Sequence, residues 1–389
     1  MSNYAQSHPS VRISAKRFRQ SPYFHCYAHA DAILGVYGKR FYALSLGEDP
    51  VSRYWALRQN VVQYDVPERP VEISGPDAIR LLEQVFTRNV ANLPIGRAQY
   101  TIACLPGGGI LMDGVLLRLE RDRFWYVHAD GEFDTWLIAR GLGMEVMIRD
   151  PDSWVLQVQG PRSLDVLAAA CDDGMPDAFN YFDVTESRLG GQSLLVSRTG
   201  WTGELGFEVY TNGDATDGEA LWNHLMAAGE AFGILSSGLE SMGIRRIEAG
   251  ILDYGTDMDR TMTPFQANLG RFVDLEKADF IGREALRPAD PRPLLYGLRC
   301  PTSIPWAGLD VRGDGETIGH MTAGAWSPCL DCGIGYIRLS AADHRHAKLV
   351  SVIDRNGDSH AAEIVPLPFY DREKKIPRGL DTNIPKPPE

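Results

Sequence analysis

Two stretches of this chain obey the same local grammar, and that recurrence limits the fold more than any other feature. In the first, Val71 to Ile73 alternates, Ser74-Gly75-Pro76-Asp77 breaks the strand, and Ile79, Leu81, Leu82, Val85 and Phe86 follow at helical spacing. In the second, Trp154 to Val158 runs into Gln159-Gly160-Pro161-Arg162-Ser163 and then the apolar Leu164, Val166 and Leu167. Little beyond the Gly-Pro step matches between them, so the pattern implies two related α+β units rather than a sequence repeat.

The 389 residues exceed what one ordinary core can bury, so two or three domains are expected. After the first unit come three strand-like runs, Tyr100 to Cys104, Gly109 to Glu120 and Arg123 to His128, with Gly107-Gly108-Gly109 and Arg121-Asp122 as turns. Ser193 to Thr199 and Phe207 to Tyr210 flank the turn Gly200-Trp-Thr-Gly-Glu-Leu-Gly206, a long hairpin whose glycines are expected to supply positive φ. A helix follows, with Thr216 and Glu219 as a capping box and Gly233 as its stop. From about Pro288 short strands dominate, with Leu294 to Leu298, Thr317 to Met321 and Gly333 to Ile337 as candidates, the signature of a small β-barrel or sandwich. Arg287 to Pro293 reads as the linker, and the polar tail after Asp371 as frayed.

A net charge of -12 argues against a phosphate-backbone binder, which needs surplus clustered Lys and Arg, and leaves nucleic acid out of the expected partners. No apolar run reaches about 18 residues, so no membrane span is expected. Six scattered cysteines, with Cys329 and Cys332 as a lone CxxC pair, fit a reducing, cytoplasmic compartment and no metal site. The first 30 residues carry Arg12, Lys16, Arg17 and Arg19 with no acid before Asp31, a bias shared with transit peptides. Pro9, Pro22, Tyr23, Phe24 and Tyr27 interrupt any amphipathic helix there and read instead as folded sequence.

Four local features could carry chemistry. Asp113, flanked by Leu111, Met112, Val115 and Leu116, either caps a turn or is held for a ligand. Glu208 follows the glycine-rich turn, and period-two geometry puts it with Tyr210 on the face opposite Phe207 and Val209. A strand carboxylate so placed can accept two parallel N–H bonds, as a 2-amino-pyrimidinone ring offers, or simply face solvent. Arg246 falls between Leu239 and Met242 on the apolar arc of a helix, whereas Arg245 and Glu248 fall outside it, so Arg246 needs a buried acid, a carbonyl or a ligand as partner. Tyr100, Trp201 and Tyr254 each sit beside a polar turn, where they are either core aromatics or, for Trp201, a surface to stack on a ring or a cation. The chain has no GxGxxG at a βαβ head, no GxxxxGK[ST], no GxSxG elbow and no HExxH.

Taken in order, several segments resemble the glycine-cleavage T-protein (aminomethyltransferase) family over about Tyr64 to Asp371. The carriers are Arg246-Ile-Glu-Ala-Gly250 through Asp253-Tyr-Gly-Thr-Asp257, Thr263-Pro-Phe-Gln-Ala-Asn-Leu-Gly270, and Asp279-Phe-Ile-Gly-Arg-Glu-Ala-Leu286. Ser197 to Glu208, Gly107 to Asp113, Gly319 to Pro328 and Leu367-Pro-Phe-Tyr370 add to it. The resemblance implies an α+β, three-domain cloverleaf with a C-terminal β-barrel and tetrahydrofolate in the central opening. Its domains would be 1–58 plus 152–287 for folate, 59–151 as an inserted α+β unit, and 288–389 as the barrel. It also implies that Asp113 stands near the reacting folate nitrogens as the catalytic residue. Glu208 would anchor the pterin, with Tyr100, Arg246 and Tyr254 lining the same cofactor site.

Two departures bear on substrate. Met242-Gly243 stands where the family has an Arg-Asp pair, making a lipoylated carrier protein an unlikely partner, and Trp201 replaces a tyrosine. Tyr64-Asp-Val66 through Glu68-Arg69-Pro70 to Gly75 is similar to the branch that demethylates dimethylsulfoniopropionate, although Thr202 to Gly206 keeps the general family turn. The expected function is therefore a folate-dependent methyltransferase or demethylase, taking a methyl group from a small sulfonium or quaternary ammonium donor. Trp201 and Tyr100 are the expected donor-binding residues. Aminomethyl transfer in glycine cleavage is the rival activity. A non-catalytic folate-binding protein is the other, and the hairpin Thr199 to Glu208 lacks the cysteine of that relative's motif.

Overall fold

The computed structural model describes residues 14–128 and 131–387, so Pro9 and Arg12 of the basic N-terminal stretch lie outside the described residues. Within it each Gly-Pro unit builds the same sheet. Strand Arg69–Ser74 leads into helix Ala78–Val85, and the meander Arg97–Cys104, Ile110–Glu120, Arg123–His128 brings its last strand back antiparallel to the first. Strand Val155–Gln159 leads into helix Ser163–Ala170, and the meander Val184–Leu189, Gln192–Ser197, Gly206–Tyr210 returns in the same way. The shared step has a shared cause. Gly75 (φ 124°) and Gly160 (φ 130°) occupy backbone closed to L side chains, and a Cβ would lie 2.5 Å from the Glu145 carbonyl oxygen or 2.4 Å from that of Asn60. What the sequence shows as a dipeptide is thus a repeat of topology.

The first unit adds strand Met147–Arg149 to make five strands. The second takes strand Val61–Val66 between Val155–Gln159 and the parallel strand Ile234–Ser236, making six. Val61–Val66 precedes the first unit in sequence yet belongs to the second unit's sheet. The chain therefore crosses between the sheets at Pro67-Glu68, later than the boundary at 59 expected from sequence.

Each sheet is covered on its back. Helices Ser163–Ala170 and Gly218–Gly229 seal Leu156, Val158, Phe207 and Val209, and Tyr23 and Tyr27 join that core, so the segment around these two tyrosines is folded sequence. Helix Ala78–Val85 covers Ile73, Met112, Leu116 and Phe124 of the other sheet. The two fronts meet: Val62, Tyr64, Val66 and Tyr210 pack against Ala98, Leu117, Trp125 and Val127. A closed six-stranded barrel built from Leu295–Cys300, Asp310–Gly313, Glu316–Ser327, Cys332–Leu339, Val350–Ile353 and Ser359–Val365 follows. Its outer residues Tyr336 and Ile334 pack with Met258, Met262 and Leu269 of the irregular segment 251–286, which joins the barrel to the sheets.

Two local expectations are corrected. Helix Gly218–Gly229 is capped by Asp217, whose carboxylate accepts the Ala220 N–H, while Thr216 Oγ1 instead accepts the Asn212 N–H; Gly233 ends the following turn at φ 72° as expected. The tail after Asp371 is not frayed, because Lys374 Nζ donates to the Ala249 carbonyl, Arg198 to that of Arg378 and Gln59 to that of Pro385. No helix among the described residues is long and apolar enough to cross a membrane.

Candidate functional site

The front of the six-stranded sheet supplies one wall. Ser197, Glu208, Gln157 and Tyr64 are direct neighbours across four strands, so their side chains share one face, and Phe207 and Val209 point into the opposite core as period-two geometry requires. Glu208 is buried and is held entirely by neutral donors. Its Oε1 accepts Gln157 Nε2 at 2.8 Å, and its Oε2 accepts Thr199 Oγ1 and Tyr210 OH, each at 2.6 Å. Burial pushes its pKa up, and the surrounding hydrogen bonds only partly offset this. The hairpin beside it is shaped by Gln159, whose amide bonds Thr199, Thr202 and Phe207. A Cβ on Gly200 or Gly206 would sit 2.1 or 2.3 Å from Gln159 Oε1, so those glycines serve close approach. Positive φ is confined to Gly203 in this turn.

The five-stranded sheet supplies the opposite wall. Asp113 lies on the same strand face as Val115 and Leu117, directed to the meeting of the sheets, and its Oδ2 accepts the Tyr100 hydroxyl at 2.8 Å. Burial, reinforced by the nearby Asp253 charge, lifts the Asp113 pKa to about 7 despite that hydrogen bond. Tyr100 stands edge-on to Phe272 at 4.6 Å. Tyr254 is half-buried against the same sheet, its hydroxyl 3.5 Å from the Ile110 carbonyl, and it feels the Asp113 charge.

Helix Leu239–Glu248 packs against the barrel beside these sheets. Arg246 is buried as its helical phase predicts, and its guanidinium donates to Asp257 Oδ2 at 2.5 Å and to the Ile251 carbonyl at 3.1 Å. It lies 5.0 Å from the Trp201 ring and 5.7 Å from that of Tyr336 on the barrel, and Thr322, also on the barrel, holds the other oxygen of Asp257. Trp201 therefore does meet a cation, but an internal one. Electrostatic reach links Arg246 to Asp253, Asp253 to Asp113 and Glu68, and Glu68 to Glu208, so these charged groups lie within electrostatic range of one another.

Sequence reasoning missed two groups. Arg245 and Glu248, placed off the apolar arc, are both buried in a cluster with Arg58 and Glu204. Glu248 there accepts hydroxyls from Tyr54, Ser327 and Tyr370. That flank of the helix faces helix Pro50–Gln59 and the barrel, contacts that no helical-wheel argument contains. The second omission is Glu68 at the sheet crossing. Its Oε2 is sealed from solvent without a hydrogen-bond partner among the described residues, and burial with Glu208 nearby pushes its pKa to about 8. The signal available was an acid enclosed by Val66, Pro67 and Pro70.

Carboxyl groups, tyrosines and one aromatic-backed guanidinium lie where two sheets and a barrel meet, a junction of the kind at which small-molecule sites are commonly built. Comparison with known proteins specifies the family. The family models "GCVT N-terminal domain" and "Glycine cleavage T-protein C-terminal barrel domain" match residues 42–277 and 295–371. An aminomethyltransferase of Streptomyces avermitilis is 36% identical over 334 residues, spanning 82% of this chain and 89% of its own length. A trimethylamine-oxide aldolase of Ruegeria pomeroyi is 34% identical over 349 residues, covering 85% of this chain but 44% of that protein. The crystal structure of glycine cleavage system aminomethyltransferase T from Bartonella henselae superposes with a TM-score of 0.81 at 25% identity, covering 91% of this chain and 98% of that one. The chain belongs to the glycine cleavage T-protein family, folate-dependent one-carbon transferases that bind tetrahydrofolate. The abundance of aminomethyltransferases among these relatives gives no support to the expectation that a lipoylated carrier protein is an unlikely partner.

Proposed function

We propose that this chain moves a methyl group from a small cationic donor, a sulfonium or quaternary ammonium compound, to N5 of tetrahydrofolate. The observation that carries the reading is the surplus of carboxyl groups within electrostatic range of one another. Asp113, Asp253, Glu208 and Glu68 all have pKa values raised by burial, while the nearby cation Arg246 is already matched by Asp257. Such a site is uncomfortable when empty of positive charge and gains when a cation enters.

The residues present fit a reduced pterin. Glu208 Oε1 accepts one hydrogen bond from Gln157, which leaves acceptor capacity for the paired N–H groups of a 2-amino-pyrimidinone. Bound tetrahydrofolate would supply the nucleophilic N5. Glu208 would fix the ring, Arg246 and Tyr254 would border it, and Asp113, oriented by Tyr100, would hold negative charge beside the donor's positive centre. Orientation and electrostatics then carry the rate: the sulfonium leaves as a neutral sulfide, or the quaternary ammonium as a neutral tertiary amine, neither needing a proton, while the proton displaced from the methylated N5 passes to water. Trp201 positions Arg246 in this reading, which shifts donor recognition toward the carboxyl groups.

Aminomethyl transfer is the second reading, favoured by the names of the relatives. A panel of sulfonium, quaternary ammonium and methoxy donors incubated with enzyme and tetrahydrofolate, read by mass spectrometry, separates the two. Formation of 5-methyltetrahydrofolate from an onium donor is expected. Product that is solely 5,10-methylene, and solely with an aminomethylated carrier protein, would overturn methyl transfer.

A further inference from the structure

We infer that Glu68 is the counter-ion for the onium group of the donor, an inference that rests on the proposed methyl transfer and assigns its cation-binding residue. Glu68 occupies the crossing from strand Val61–Val66 of the six-stranded sheet to strand Arg69–Ser74 of the five-stranded one. Its backbone is fixed from behind. Arg40 donates to the Glu68 carbonyl at 3.0 Å and to the Ser153 carbonyl at 2.8 Å, with its guanidinium 3.9 Å from the Trp154 ring centre. That arginine is thus committed to main chain and indole, and no salt bridge joins it to the Glu68 carboxylate among the described residues.

The contrast with Glu208 indicates what each acid is built to receive. Glu208 is wrapped by an amide and hydroxyls, a setting that suits further N–H donors. Glu68 Oε2 is shielded from solvent yet has no hydrogen-bond donor at all. Leaving a buried acceptor bare is costly unless a ligand supplies the missing charge. A sulfonium or tetraalkylammonium centre has no N–H or O–H to offer, so it cannot displace hydrogen-bond donors from a carboxylate, and it fits an oxygen that has none; the one donor to the Glu68 carboxylate is its own backbone N–H. The charged or titratable groups acting on Glu68 are Glu208 and Tyr210 on the strand Gly206–Tyr210, Asp253 after helix Leu239–Glu248, and Arg40. The two acids repel its negative charge, and an entering cation relieves all three carboxyl groups together.

The test is titration of tetramethylammonium ion, an inert onium probe, into the intact protein with tetrahydrofolate present, with tert-butanol as the neutral probe of similar shape. Glu68→Gln keeps the side-chain volume and is expected to weaken tetramethylammonium at least ~10-fold while leaving tert-butanol and tetrahydrofolate affinity within about twofold. Wild-type affinity for the ion should rise as pH increases through about 8, where the Glu68 carboxyl ionises, and Glu68→Gln should lose that dependence. Should the glutamine variant fold poorly, Glu68→Ala gives the same reading. Equal affinity of both proteins for the ion, or no binding by the wild type at pH 9, would overturn the assignment. Glu68-dependent binding of the ion without methyl transfer from any onium donor would instead leave Glu68 as a cation site and remove the proposed reaction.

Discussion

Replacing Glu208 by glutamine tests the pterin anchor with little disturbance to its surroundings. The amide has the carboxylate's shape, and the Thr199 and Tyr210 hydroxyls that now donate to it can rotate to accept, while the Gln157 amide can flip. What disappears is one negative charge and one acceptor. Hydrogen bonds to a charged group contribute about 1.5–3 kcal/mol against about 0.5–1.5 kcal/mol for neutral pairs, so two parallel N–H bonds lose about 2–3 kcal/mol together. At about 1.4 kcal/mol per tenfold, tetrahydrofolate should bind roughly 30- to 150-fold more weakly. The midpoint of thermal unfolding should move by only about 3 °C or less, because a buried carboxyl with a raised pKa gives up little when its charge is removed. Calorimetric titration with tetrahydrofolate and a thermal melt on the same preparation provide both numbers. A dissociation constant within threefold of wild type would refute the anchor, and a large fall in melting temperature with intact affinity would make Glu208 a packing residue.

Asp113→Asn is expected to lower turnover by about 100-fold, the scale for removing one preorganised electrostatic group, with tetrahydrofolate affinity nearly unchanged. Because burial raises the Asp113 pKa to about 7, wild-type turnover should climb as pH rises through 7 and the carboxylate ionises, and a steady-state pH profile of the variant should be flat there. Glu248→Ala leaves Arg58 and Arg245 sharing Glu204 alone and strips the acceptor from Tyr54, Ser327 and Tyr370. A loss of about 3–5 kcal/mol is expected, seen by calorimetry as a melting temperature about 10 °C lower, and an unchanged melt would show that this cluster does not join the barrel to the helices.

Much of the site could be read before any coordinates. Alternation along Gly206–Tyr210 fixed the face of Glu208, and helical phase put Arg246 inward, because both follow from backbone periods that neighbours cannot alter. The capping box at Thr216 and Glu219 failed for a local reason: Asp217, one residue on, competes for the same helix start and its carboxylate wins. Glycines in the hairpin were read as φ requirements, yet Gly200 and Gly206 are there because the Gln159 amide lies against them, and Gln159 comes from another strand.

The sequence by itself determined the two strand-and-helix units, the barrel that follows, the strand face of Glu208 and the inward phase of Arg246, since each depends on residues close together along the chain. Only the tertiary structure decided that Val61–Val66 serves the sheet of the second unit, that Arg245 and Glu248 are buried on the flank facing the barrel, and that Glu68 Oε2 is left without a donor near other acids. Those outcomes come from surfaces distant in sequence excluding water from one another, and a charge's partners and solvation are properties of that enclosure rather than of its neighbours along the chain.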